Sequence, residues 1–366
     1  MKTEIPLQSR PAAPAKVRPP VPPPRKFRLP RFRLNLDLSL RLGWYIFRNK
    51  LRKKKFPLVL MLEPLHACNL TCTGCGRIRE YVETIRDMLS VDECVKAVEE
   101  CGAPIVSICG GEPLIYPKIG ELTRRLLDMG KFIYLSTNGM IIQKKIEKGE
   151  FKPHRRFFWN VHLDGMEKTH DVCVEKEGVF RQAVEGIAFA KKAGFQVCTN
   201  TTVYRETDMA EIEEMYRFLE PYRLDGHMLS PGYSYQAVQQ KELFMTREVI
   251  HEKFKDVDRL AKRYNLHTTP PYLEFLQGMR DFPCTAWGNP TRNILGWKGP
   301  CYFITDAHHQ SFQDLLDKTP WENYGKGNNP RCQDCMVYCC YEPAVALGHN
   351  KKSGDLMKYI RWQMKI

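Results

Sequence analysis

The chain of 366 residues is 43% hydrophobic and 11% aromatic, enough to bury a large core and to exclude wholesale disorder. Its formal charge of +14 lies in one place: residues 1–55 carry 16 Lys/Arg against Glu4 and Asp37, whereas residues 56–366 carry 40 of each sign, which excludes a basic nucleic-acid-binding body. No apolar run reaches the ~18 residues of a bilayer span and the start lacks a signal-peptide core, so the 14 cysteines point to metal ligation in a reducing cytoplasm, not to disulfides.

Residues 1–31 are Pro-rich and basic and read as an extended arm. In 32–55, Phe32, Leu34, Leu36, Leu38, Leu40 and Leu42 alternate with polar neighbours, followed by Trp44-Tyr45-Ile46-Phe47 and Arg52-Lys53-Lys54-Lys55. Two readings fit: a segment lying on an anionic membrane leaflet, or an edge strand packed on the protein and followed by a solvated charge run. From residue 56, expected strands at 58–63, 105–109, 132–136, 157–163, 195–203 and 225–230 alternate with helices at 90–101, 118–129, 178–193 and 208–220. Ser90, Glu93 and Gly102 punctuate the first of these helices as caps. Six β–α units predict an α/β fold with a parallel sheet, a partial (β/α)6 TIM-type barrel, whose chemistry sits at the C-terminal strand ends. Past about residue 240 a helix over 246–264 leads into a Trp-, Gly- and Cys-rich region, 280–343. The expected division is an arm and membrane-surface segment (1–55), a core barrel (56–240) and a small helical, Cys-rich C-terminal domain (241–366).

Cys68, Cys72 and Cys75 form a C-x3-C-x2-C pattern directly after the first strand. Three thiolates on one short loop can each reach a different corner of a cubane, and with no fourth cysteine nearby one iron stays open. A structural zinc site would want a fourth ligand, typically from paired C-x2-C units. The trio resembles the signature of the radical SAM superfamily. That resemblance implies a [4Fe–4S] cluster whose open iron binds the methionine end of S-adenosylmethionine (SAM). It further implies reductive cleavage of SAM to a 5′-deoxyadenosyl radical, with a flavodoxin or ferredoxin as reductant. Gly110-Gly111-Glu112-Pro113 resembles the family's GGEP segment, whose backbone meets the SAM amino group; glycine admits such an approach. Ser136, Thr137 and Asn138 fall where the superfamily places polar contacts to SAM, although Asn138-Gly139 also suits an ordinary turn. His162 and Asp164 close the fourth strand, either contacting SAM or the acceptor, or satisfying the strand end as a polar pair.

Further segments, among them Leu62-Glu63-Pro64-Leu65, Val161-His162-Leu163-Asp164-Gly165, Ser230-Pro231-Gly232-Tyr233-Ser234-Tyr235, Trp287-Gly288-Asn289-Pro290-Thr291 and Cys332-Gln333-Asp334-Cys335, resemble the adenosyl-hopene transferases over about residues 56–345. This resemblance implies addition of the 5′-deoxyadenosyl group to the double bond of a hopene (diploptene), giving adenosylhopane in hopanoid biosynthesis. A hydrophobic polycyclic lipid of that kind requires a large apolar cavity with polar groups near the adenosine end. The resemblance also implies cysteine at position 136. A serine O–H is too strong a bond to quench a product radical, so quenching falls to another donor such as Cys109, or to electron and proton transfer.

Cys284, Cys301, Cys332 and Cys335 resemble an auxiliary-cluster domain and could close a second Fe–S cluster or a zinc site, or simply pack as small buried residues. Cys339 follows, then Cys340 where the resemblance implies glycine. Cys94, Cys101, Cys173 and Cys198 fall within helix or strand patterns and read as core. Two rival functions remain: another radical SAM enzyme with an auxiliary cluster, either a peptide or cofactor maturase or one with a different lipid acceptor, and a zinc- or cluster-stabilised nucleic-acid binder using the tail. The preferred reading has no nucleic-acid partner and places the chain in the cytoplasm, peripheral at the inner membrane face through residues 32–55.

Overall fold

The computed structural model describes residues 33–52 and 55–364. The arm at 1–31, with residues 32, 53 and 54, lies outside the described residues.

The first described element corrects the strand reading of 32–55. Leu36–Leu51 form helix α1, capped by Asn35, whose side-chain oxygen accepts from the Asp37 amide at 2.9 Å. The alternating leucines mislead because a helical turn separates them: Leu38 and Leu42 turn inward, Leu36 and Leu40 outward. Leu38 joins a cluster with Ile105, Phe132, Tyr134 and Phe158, so α1 plugs the start of the strands. Asp37 pairs with Arg156 at 3.1 Å and fixes the helix there.

Six strands follow in parallel: β1 (Val59–Leu62), β2 (Ile105–Ile108), β3 (Phe132–Thr137), β4 (Phe157–His162), β5 (Gln196–Val203) and β6 (Gly226–Pro231). Between them run α2 (Arg77–Glu80), α3 (Val91–Cys101), α4 (Ile119–Asp128), α5 (Ile142–Glu147), α6 (Glu167–Cys173), α7 (Val179–Lys192) and α8 (Met209–Leu219). Ser90 and Glu93 complete a capping box on α3, and Gly102 ends it at φ +70°.

The sheet order is β6-β5-β4-β3-β2-β1-β7-β8-β9, so β6 is an edge and β1 is not. Three strands unforeseen from the sequence extend that side: β7 (Thr291–Asn293) parallel to β1, then β8 (Gly296–Pro300) and β9 (Thr305–His309) antiparallel. They are short, and Trp297, Lys298 and Gly299 give no period-two signal. The expected helix over 246–264 is two helices, α9 (Arg247–Lys253) and α10 (Val257–Arg263), parted where Phe254 turns fully into the core. Then come α11 (Pro270–Leu276), α12 (Phe312–Lys318), α13 (Tyr338–Leu347) and α14 (Asp355–Met364).

Strand alternation sorts the two faces. Leu60, Val106, Ile133, Trp159 and Val197 join the helices in the main core. The inward positions change along the strands, from Ile105, Phe132, Tyr134 and Phe158 at the start to Ser107, Ser136, Asn160 and His162 toward the end. The lumen is therefore apolar where α1 closes it and polar where the strands end.

Candidate active site

The loop leaving β1 carries Cys68, Cys72 and Cys75, all partly exposed. Its curvature is set by Arg79, which donates to the carbonyls of Thr71, Cys72 and Cys75 at 3.1, 2.9 and 2.6 Å. Glu175 holds the same edge, accepting from Thr71 Oγ1 at 2.8 Å and pairing with Arg79 at 3.7 Å. Gly74 leaves room for the Tyr204 ring, which a Cβ there would displace. Within this loop the thiols feel one another. Burial, and after it the charges of Glu112 and Cys75, push Cys68 up to about 12, while burial, Cys75 and Cys68 push Cys72 up as well.

Among the described residues no three His, Cys, Asp or Glu side chains already surround a common metal position. The donor set nonetheless suits a cubane with one open corner: three thiols within eight residues, with Asn69, Asn138 and Met140 beside them.

The Gly110–Glu112 segment braces this loop from the other side. Gly110 has φ +104°, and a Cβ on Gly111 would lie 1.8 Å from the Ala67 carbonyl. The Gly111 amide donates to Leu65 at 3.1 Å and the Glu112 amide to Ala67 at 2.8 Å. One close approach that these glycines permit is to the protein's own loop. The Glu112 side chain is buried and accepts from Thr137 Oγ1 at 2.7 Å and from the Asn138 amide at 2.8 Å. Burial raises its pKa in spite of these bonds. Asn138 Nδ2 donates to Asn69 Oδ1 at 2.7 Å. Glu112, Thr137 and Asn138 thereby tie the ends of β2 and β3 to the cysteine loop.

Ser136 faces the lumen, its Oγ accepting from Asn160 Nδ2 at 3.2 Å, while the buried Asn160 Oδ1 has no partner. An orphaned acceptor on the inward side is what a bound ligand's N–H or O–H would satisfy. The β2–β3 register sets Ile108 opposite Leu135 and so brings Cys109 beside Ser136, both inward by alternation. Cys109 is buried and interacts with Tyr302, a residue that no local sequence feature marks.

His162 Nε2 and Asp164 Oδ2 are 2.7 Å apart. Asp164 is buried and its Oδ1 accepts from the Thr202 amide at 2.8 Å. Burial works against a charge on His162, but Asp164's charge and hydrogen bond outweigh it, and the imidazole's pKa is raised. Asp164 also acts electrostatically on Cys72, so this pair borders the cysteine loop.

The second thiol group is larger than the sequence reading allowed. Cys284, Cys301, Cys332, Cys335 and Cys339 pack in one cluster, and Cys340 interacts with Cys284, Cys301, Cys335 and Cys339. Six thiols therefore meet, the sequence reading having named four; the first turn of α13 supplies Cys339 and Cys340. Cys94, Cys101 and Cys198 are buried as expected, but Cys173 is a correction: it ends α6, partly exposed, and its carbonyl accepts from Thr73 of the cysteine loop at 3.0 Å.

Between the two thiol groups stand four rings. Tyr233 and Phe303 are 4.7 Å apart, Tyr235 and Phe303 5.4 Å, and Tyr302 and Phe303 5.1 Å. Tyr235 interacts with both Cys75 and Cys339. The cavity beside this wall measures about 460 Å³ and mixes Tyr233, Phe244 and Met245 with Arg205, Lys241 and Arg331. Its lining is less apolar than the polycyclic-lipid reading demands.

Comparison with known proteins agrees with this geometry. Residues 62–219 match the radical SAM superfamily and residues 227–359 match a domain of unknown function, DUF3463. An AdoMet-dependent heme synthase of Oleidesulfovibrio alaskensis is 30% identical over 164 residues, 43% of this chain and 41% of that protein. An Fe-coproporphyrin III synthase of Methanosarcina barkeri is 26% identical over 297 residues, 73% of each chain. The match spans less than half the length of the heme synthase, and of a second one from Methanosarcina barkeri. The crystal structure of Streptococcus suis SuiB bound to precursor peptide SuiA shares the fold with a TM-score of 0.62 and 16% identity, over 84% of this chain and 76% of that one. Radical SAM proteins use a [4Fe–4S] cluster and SAM, and auxiliary clusters are common among them. With its cysteine loop, the braced Gly110–Glu112 segment and the match over residues 62–219, that part of the chain is a radical SAM domain.

Proposed function

We propose that this protein transfers the 5′-deoxyadenosyl group of SAM to the double bond of a hopene, with Cys68, Cys72 and Cys75 holding the [4Fe–4S] cluster. The observation that supports an apolar acceptor is the wall of Tyr233, Tyr235, Tyr302 and Phe303 standing between Cys75 and Cys339, beside a cavity whose Arg205, Lys241 and Arg331 would have to lie clear of the hydrocarbon. When bound, the cluster and SAM supply a 5′-deoxyadenosyl radical at the lumen. The chain's residues do the rest. Gly110–Glu112, Thr137 and Asn138 fix the loop, Asn160 Oδ1 and Ser136 offer polar contacts, and the apolar plug around Leu38 closes the lumen against water from below.

Cys109 takes the part that Ser136 cannot perform. Its S–H breaks as the product C–H forms, and one electron from the flavodoxin- or ferredoxin-type reductant with one proton from solvent restores the thiol. Tyr302 beside it orients the sulfur. The six C-terminal thiols are read as an auxiliary cluster site, four of them sufficing for a closed cubane.

Anaerobic incubation of the reduced protein with SAM and diploptene, followed by mass analysis, tests the reading: an adduct containing the adenosyl group is expected. Free 5′-deoxyadenosine without adduct would favour a second reading, a cofactor or peptide maturase that abstracts hydrogen. The relatives named heme synthase and Fe-coproporphyrin III synthase support that alternative.

A further inference from the structure

One face of α1 is accounted for by packing. Leu42, Tyr45 and Ile46 lie against Phe56 and Leu58, and Leu38 plugs the strands. The opposite face is not. Leu36, Leu40, Trp44, Phe47 and Leu51 are exposed, between 46% and 70%. At about 100° per residue these five positions fall within about 80° of arc, turned away from the protein. The rings of Trp44 and Phe47 sit 5.8 Å apart on that surface. Beside the start of α1 lies α14, whose Gln363 Nε2 donates to Ser39 Oγ at 3.2 Å and to the Leu34 carbonyl at 2.8 Å. It too exposes apolar side chains, Leu356, Met357, Ile360 and Met364. Soluble surfaces rarely leave apolar patches of this extent without a partner.

The charges beside the stripe select the partner. From residue 38 to residue 62 the sequence has no carboxylate, while Arg41, Arg48, Lys50, Arg52 and Lys55 are exposed. Asp37, the acid of α1, is turned onto Arg156. Around α14, Lys351, Lys352 and Arg361 are exposed, and Asp355 is spent on Arg280 at 2.8 Å. An apolar stripe centred on tryptophan and edged by cations matches the interface of an anionic bilayer. No helix among the described residues is long and apolar enough to cross a membrane, so such a contact lies in the interface plane.

We infer that the outer faces of α1 and α14 dock this protein on an anionic lipid surface. The inference stands whatever acceptor the active site takes. Sedimentation of the full-length, cluster-loaded protein with phosphatidylcholine vesicles, with and without phosphatidylglycerol, tests it. Binding is expected to the anionic vesicles and to weaken with salt. The double variant Trp44→Glu, Phe47→Glu should lower that partition about tenfold or more while leaving SAM cleavage intact. Because the variant keeps the basic tail, unchanged vesicle binding would overturn the inference. So would a concentration-dependent dimer that the double variant abolishes in the absence of vesicle binding, which would make the occupant a second copy of the chain. Should the double variant misfold, Leu51→Glu at the end of the stripe decides by the same readout.

Discussion

The two thiol groups are built in opposite ways. Cys68, Cys72 and Cys75 come from eight consecutive residues, and what holds them is backbone: three carbonyls gathered on Arg79, and Gly111 pressed against Ala67. The C-terminal group comes from residues between 284 and 340, and packing holds it, among Tyr233, Phe303, Trp321 and Tyr324. A set on one loop approaches a cluster from one side and leaves an open corner for a ligand. A set collected from several segments surrounds its contents. The first arrangement suits chemistry, the second electron storage or structure.

The largest effect should therefore come from the loop. Cys72→Ala is expected to lower SAM cleavage by at least about a thousandfold, the scale seen when a group essential to the chemical step is removed. With the proposed auxiliary cluster held by the C-terminal group, iron should fall from about eight to about four per chain. Anaerobic 5′-deoxyadenosine assays with iron analysis check both. Full activity in this variant would end the assignment of the loop.

Gly111→Ala tests whether the loop depends on backbone shape. A Cβ there meets the Ala67 carbonyl at 1.8 Å, so either the cysteine loop or β2 must shift. Overpacking of this kind costs about 1–3 kcal/mol and should empty the loop's cluster while leaving the C-terminal iron in place. Urea unfolding and iron counting together read the two consequences. The converse variant, Cys340→Ala, removes the thiol within reach of four others. It should disturb the C-terminal metal while SAM cleavage stays within about threefold of the parent, a change of under ~1 kcal/mol in barrier. Zinc in place of iron at this position would recast the second group as structural.

The same contrast explains what could be seen in the sequence. Cys68, Cys72 and Cys75 are legible because local spacing is all that the geometry needs, and the six strands are legible because apolar runs alternate with capped helices. The C-terminal group was legible only as four cysteines, since Cys339 and Cys340 enter through the first turn of α13 and not through a spacing rule. α1 misled because leucines at every second position serve a strand's one face and a helix's two faces equally well. Nothing local marks Arg79, Asn160 or Tyr302, whose roles come from contacts between distant segments. Cys109 beside Ser136 needs the strand register, which a single sequence does not display.

The last test separates the two regions by charge, through an effect confined to part of the pH range. His162 and Asp164 border the cysteine loop, 2.7 Å apart, and Asp164 holds the imidazole's pKa above its usual value. In the unfolded chain that pKa is about 6.5. The stabilisation from the pair is then fully present below about pH 6.5 and is lost as pH rises through the folded pKa. Asp164→Asn keeps an acceptor for the Thr202 amide but removes the anion. The variant should be less stable than the parent by about 1.5–3 kcal/mol at about pH 5–6, where the imidazole is charged and carboxylates are ionised, the range for a hydrogen bond to a charged group, and the gap should close in alkali. Chemical unfolding across the pH range measures it. A gap that does not change with pH would mean that His162 carries no charge at this rim, and that Asp164 acts only by bracing β4 against β5.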